Sequence, residues 1–136
     1  MATRTNYFIQ AVLDLIYLNQ PIPNIGDAAG ILGSTADGNL YAALLVGDTE
    51  CDYGSYARVA ISRTNGFNRA GNVISNASQL NFPKATAGNN VVTKIAIYDQ
   101  AVAGNQLHVQ ELANAITITT NVQPVIEAAA VTITGS

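Results

Sequence analysis

The sequence predicts a mainly β protein, an antiparallel β-sandwich of about seven strands with an N-terminal α-helix. Three observations predict it. Short runs that alternate apolar and polar residues recur from Leu40 to the C-terminus, turn signals separate them, and no helical periodicity returns between them to cross over between parallel strands. At 136 residues the chain reads as one domain, 1–136, long enough to bury a core without disulfide staples.

The helix comes first. Thr5 or Asn6 fits an N-cap, and Ile9, Val12, Leu13 and Ile16 follow the i, i+3, i+4, i+7 spacing, which predicts a helix over 6–18. Asn6, Gln10 and Asp14 fall four apart in one narrow polar stripe, while Phe8, Leu15 and Tyr17 widen the apolar surface beyond a single core-facing side. A helix of this kind wants partners on more than one side. Phe8, Val12, Leu15, Ile16 and Tyr17 are therefore candidates for an interface with another chain. Pro21 and Pro23 stop the helix. The Gly-, Ala-, Asp- and Ser-rich stretch after them, about 20–39, reads as a surface loop or an arm reaching a neighbour, with Ile31 and Leu32 as its apolar contacts.

Leu40 to Val46 has the length and apolar continuity of a strand buried on both faces. Tyr53 to Ile61 and Val91 to Asp99 alternate as two core strands. Asn65-Gly66 marks a turn within an exposed loop, Thr64 to Gly71. Val73 to Phe82 carries a weaker strand pattern that Pro83 ends. The turn at Ala103-Gly104-Asn105 leads into a return strand at Leu107 to Glu111, and Ala115 to Thr119 and Ala130 to Thr134 complete the set as strands with one wet face.

Charged residues make up 11% of the chain and hydrophobic ones 49%, against roughly 25% charged in an average domain, so part of the surface is expected to face protein rather than water. Abundant Asn, Thr, Ser and Gln offer the competing explanation of a wet but uncharged surface. The net charge of −3 and six scattered Lys and Arg provide no stripe for phosphates, which argues against nucleic acid. Arg4 followed by Tyr7 to Leu18 imitates a signal peptide, but Gln10 and Asp14 interrupt it, and the run is shorter than the roughly 20 residues of a membrane span. Cys51 is the lone cysteine, which excludes an intrachain disulfide framework and fits a reducing cytosol.

Little chemistry is marked. His108, the single histidine, sits in a predicted strand with no nucleophile elbow near it, and no phosphate-cradling glycine motif or cofactor signature is present. Asp48, Glu50 and Asp52 alternate in a Gly-flanked turn, as oxygens for calcium or as partners of Arg58 or Arg63. Tyr53 and Tyr56, with Tyr98, suit either an outward-facing platform for a sugar or internal packing. Asn76-Ala-Ser78 matches a glycosylation acceptor by coincidence of sequence.

Several short motifs, in order along nearly the whole chain, resemble small tailed-bacteriophage virion proteins of the tail-fibre-like family. They are Asn6-Tyr-Phe at the helix, Leu40-Tyr-Ala-Ala-Leu-Leu with its acidic turn, Gly54-Ser-Tyr-Ala-Arg58, Asn81-Phe-Pro-Lys-Ala-Thr86, Val92-Thr-Lys-Ile-Ala-Ile-Tyr-Asp99, and Gly104-Asn-Gln-Leu107. The chain departs from that family's pattern in lacking tryptophan and in its longer segment after Pro23. The resemblance implies a non-enzymatic structural subunit, without cofactor, made in the cytoplasm of a bacterial host and carried in the virion in several copies. Its implied partners are further copies of itself and other capsid or tail proteins, in a fibre-type or a decoration and cement role. The alternative is a carbohydrate-binding module that recognises a host-surface glycan.

Overall fold

The computed structural model describes residues 3–136. One helix, α1 (Asn6–Leu18), precedes ten strands: β1 (Asn39–Val46), β2 (Thr49–Glu50), β3 (Val59–Ser62), β4 (Phe67–Ala70), β5 (Val73–Asn76), β6 (Leu80–Asn81), β7 (Asn90–Tyr98), β8 (Gln106–Ile118), β9 (Val125–Ile126) and β10 (Thr132–Thr134). Every pairing is antiparallel. The larger sheet runs β2-β1-β7-β8 with β3 also on β1, a second sheet runs β10-β5-β4, and β6-β9 form a short ribbon. The fold is thus mainly β and antiparallel behind one helix, as the alternation predicts.

The core gathers Leu40, Ala42 and Leu44 of β1, Val92, Ile95 and Ile97 of β7 and Ile118 of β8 with Phe67, Ile74, Phe82, Val131 and Ile133. Ala43 and Leu45 are buried on the other side of β1, so that strand has two dry faces along most of its length. Ile9, Leu13 and Tyr17 of α1 join the same cluster, and Tyr17 meets Phe67 edge-on with ring centroids 5.2 Å apart.

Ten strands lie among the described residues, several of them only two to four residues long. Three expectations need correction. The alternating stretch from Tyr53 is strand only over Val59–Ser62. Gly54 breaks it: its backbone exchanges hydrogen bonds with the segment at Thr86 and Ala87 (2.9 and 3.0 Å), a Cβ there would lie 2.5 Å from the Thr86 hydroxyl, and Ser55 takes a left-handed φ of 76°. Within Thr64 to Gly71 turn residues stand only at the two ends, and Phe67, 3% exposed, opens the strand between them. The return strand and Ala115 to Thr119 are one 13-residue strand, β8, whose register jumps between Lys94↔Glu111 and Val92↔Ile116; a bulge absorbs the extra residues.

Asn76 is 1% exposed, and it joins β5 to the C-terminal segment. Its amide donates to the carbonyls of Ser78 (2.8 Å) and Glu127 (2.9 Å), and its oxygen accepts the buried Val131 N–H (2.9 Å). A side chain so enclosed has no room for a glycan. Asn76→Ala would orphan these groups, and a loss of about 2–3 kcal/mol is expected; urea denaturation should show a lower midpoint with an unchanged slope.

Candidate interaction surface

Helix α1 begins at Thr5, whose hydroxyl accepts the Phe8 N–H (3.2 Å), and ends at Asn19 in the left-handed region (φ 54°). Its three buried residues, Ile9, Leu13 and Tyr17, lie four apart and face the sheets. The polar stripe is also bonded within the chain, with Asn6 exposed and Gln10 and Asp14 half-buried. Gln10 donates to the Asn72 side chain (3.1 Å), Asn72 donates to Asn6 (3.1 Å), and Asp14 pairs with Arg69 of β4. What remains for the outside is apolar: Tyr7 is 65% exposed, Phe8 50% and Ile16 38%, with Val12 and Leu15 half-buried between them. An ordinary surface helix shows water mainly polar residues, and this one shows water large apolar ones as well.

Of the interface candidates, Phe8, Val12, Leu15 and Ile16 therefore lie on the outer or flanking surface of α1. Tyr17 does not; it is 4% exposed in the chain's own core, where burial pushes its phenol up to about 12. In the arm, Ile22 and Ile31 exchange backbone hydrogen bonds (2.8 Å each) that fold it back on itself, so Ile31 is fixed by its backbone with its side chain 43% exposed. Leu32 is 67% exposed, and Ile25, which no sequence pattern singles out, is 53% exposed.

Arg63 anchors the helix and the arm together. Its guanidinium donates to the carbonyls of Leu15 (2.7 Å) and Ile16 (2.8 Å), to the Asn19 side chain (3.2 Å), to the Asp37 carbonyl (3.0 Å) and to the Ser34 hydroxyl (3.0 Å). The last turn of α1 carries no basic residue of its own, so the cation that its exposed carbonyls require arrives from the end of β3. Asp37 sits beside it, with its pKa lowered by hydrogen bonds from Thr64 and Asn19 and by the charge of Arg63.

The three carboxylates after β1 point to separate partners. Asp48 meets Lys94 (3.0 Å), Asp52 accepts from Asn90 (3.1 Å), and Glu50 takes a two-pronged contact from Arg58 (2.8 Å each) plus the Tyr56 hydroxyl (2.6 Å). No group of three metal-ligating side chains occurs among the described residues. Arg58 also donates to the carbonyls of Gln100 and Ala103 (2.8 Å each) and lies 3.9 Å from the Tyr98 ring centroid, so it ties the β7–β8 loop to the acidic turn. A concavity of about 420 Å³ opens beside Glu50, Tyr56 and Arg58, but its polar groups are spent on one another.

The tyrosines do not form an outward platform. Tyr53 is 3% exposed, donates to the Pro83 carbonyl (2.8 Å) and packs edge-on against Tyr56; Tyr56 is part-buried, its hydroxyl held between Glu50 and the Leu44 N–H (3.1 Å). Burial pushes the Tyr53 hydroxyl up to about 12 and that of Tyr56 higher still, with Glu50 adding to the second. The loop that Gly54 locks against Thr86 carries both rings inward. His108 faces Gln110 (3.0 Å), and Gln110 in turn bridges to Ala130 and Thr132.

A protein-family model described as Podophage GP4 fiber I protein gp80 matches residues 27–134, most of the chain. The chain belongs to this family. It is thereby a structural protein of phage-fibre type, a component of a bacteriophage virion. The matched segment runs from within the arm through β10, so it takes in every strand and leaves α1 outside it. No curated protein matches the chain.

The Arg58 contact lowers the pKa of Glu50 below its ordinary 4.5, with the Tyr56 hydrogen bond acting in the same direction against the cost of burial. A carboxylate depressed in the folded state stabilises above its unfolded pKa, and that contribution is lost as pH falls through the folded value. Glu50→Gln should lower the urea midpoint near neutrality and flatten its decline below about pH 4.5 relative to wild type. Coincident midpoint curves for the two proteins would show that the pair contributes nothing to stability.

Proposed function

We propose that the protein is a non-enzymatic accessory subunit of a tailed-phage particle that works by adhesion: copies associate through the outer face of α1 and dock on other virion proteins through the arm and the acidic turn. The observation that carries this reading is the orientation of α1, which commits Asn6, Gln10 and Asp14 to its own chain and leaves Tyr7, Phe8 and Ile16 in water. Exposing such a surface is unfavourable by about 25 cal/mol for each Å² of apolar area, and covering it is the gain that association offers. The arm supports docking because Ile25, Ile31 and Leu32 project from a backbone that Arg63, Asn19 and the Ile22–Ile31 bridge already hold, which reduces the ordering cost on binding. Attachment in many copies multiplies modest contacts, a logic shared by fibre-type and decoration roles.

The test is incorporation. Particles grown with the wild-type gene should contain the protein in stoichiometric amounts by quantitative mass spectrometry. A Leu32→Asp, Ile31→Asp double variant that melts like wild type should fall at least tenfold in particle content. Undiminished incorporation of that variant would remove the arm from the docking surface.

A further inference from the structure

The turn between β3 and β4 carries the chain's one Asn-Gly pair, Asn65-Gly66, and its glycine is not there for the reason a tight hairpin turn supplies. Neither residue has a positive φ. Closeness requires the glycine instead: a Cβ on Gly66 would stand 2.5 Å from the Ile61 side chain and 2.5 Å from the Ser62 carbonyl. Both backbone groups of Gly66 are held, its N–H donating to the Ser62 carbonyl (2.8 Å) and its carbonyl accepting the Ala77 N–H (2.8 Å). Asn65 itself is exposed, so its amide stands in water.

An asparagine followed by glycine is prone to ring closure, because no side chain shields the attacking nitrogen. The Gly66 nitrogen bonds to Asn65 Cγ, and the amide nitrogen leaves as ammonia with the proton that the Gly66 N–H gives up. Water then opens the cyclic imide at either carbonyl, leaving aspartate or isoaspartate. We propose that Asn65 is a site of this spontaneous modification and that the joint built on Arg63 gates it, since the Gly66 nitrogen is freed only when the Ser62 to Gly66 turn opens. Arg63 lies inside that turn. Its N–H bonds the Gly38 carbonyl (3.0 Å) and its guanidinium holds the carbonyls of Leu15, Ile16 and Asp37, while the Thr64 N–H is capped by the Ser62 hydroxyl (3.1 Å) and the Thr64 hydroxyl donates to the Asp37 carboxylate. Opening the turn loosens those contacts, so the modification proceeds through a local opening of the joint. The one Asp-Gly pair, Asp37-Gly38, lies at the same joint and is protected in another way: its carboxylate is bonded by Thr64 and by Asn19 (2.7 Å), and an ionised carboxylate has no comparable leaving group. The product matters to the arm. Isoaspartate lengthens the backbone of the turn by one carbon and sets a carboxylate one residue from the Thr64–Asp37 contact, which weakens the hold on the arm. This chemistry is independent of whether the arm docks on other proteins.

The experiment incubates the full chain in mildly alkaline buffer, folded and in urea, and maps its peptides with fragmentation that separates aspartate from isoaspartate. In urea Asn65 should convert first among the asparagines. Folded, it should convert at least tenfold more slowly than in urea, yet still ahead of Asn89, which is also exposed. Thr64→Val and Arg63→Ala should each speed the conversion of Asn65 at least threefold in the folded chain and leave Asn89 unchanged. The buried Asn76 reports the fold: it should stay unmodified in both variants, and if it converts in Arg63→Ala then Thr64→Val decides alone. Aged chain carrying isoaspartate at position 65 should lose its arm to limited proteolysis faster than fresh chain. Equal rates for Asn65 folded and in urea, another asparagine converting first in the folded chain, or a Thr64→Val rate equal to that of wild type would each overturn the inference.

Discussion

One constraint governs the molecule: a short helix with apolar residues around most of its circumference must be held on a small antiparallel sandwich by a single side. The hold is made by Ile9, Leu13 and Tyr17 against the core, by Arg63 on the terminal carbonyls, and by Arg69 and Asn72 on the polar stripe. These contacts come from β3, β4 and the turn after β4, so the position of α1 is fixed by strands far from it in sequence. Once the polar stripe is used for this purpose, the side left to water is necessarily apolar. The same fixing positions the arm, because Arg63 and Asn19 reach both the helix end and the residues around Ser34 and Asp37.

At the other end of the sheet, Arg58 plays a comparable part. It gathers Glu50, Tyr98 and the β7–β8 loop around one guanidinium whose side chain is 6% exposed. A fork of donors facing a carboxylate and two carbonyls leaves little of its hydrogen-bonding capacity free. The concavity beside it is therefore better understood as the seam of a clamp than as a place where a substrate would be gripped. With 11% charged residues, the chain spends most of its cations on internal joints and leaves few on the surface.

Much of this was legible before the fold was known, for reasons particular residues make plain. The helix over 6–18 followed from its cap, its periodicity and the prolines behind it, all of which are local signals. The dry β1 and the long β7 followed from unbroken apolar runs. What escaped was set by distant contacts. Nothing local says that Asn6, Gln10 and Asp14 turn toward Arg69 and Asn72 rather than toward solvent, and this inversion is what exposes Tyr7 and Phe8. The Tyr53 to Ile61 alternation misled because Gly54 and Ser55 interrupt it, and Gly54 was the available clue. The union of two expected strands into β8 was hidden by a bulge, which breaks period-two counting without ending the strand. The role of Arg63 left one faint trace, a helix with no basic residue in its last turn.

The family match accounts for the sandwich and its fibre type, while α1 lies outside the matched segment. Whether that outer face is covered in place is best decided by imaging it there. A particle reconstruction that resolves side chains around one copy should find Tyr7, Phe8 and Ile16 buried against another polypeptide. Copies whose helix faces open solvent throughout the particle would contradict the account.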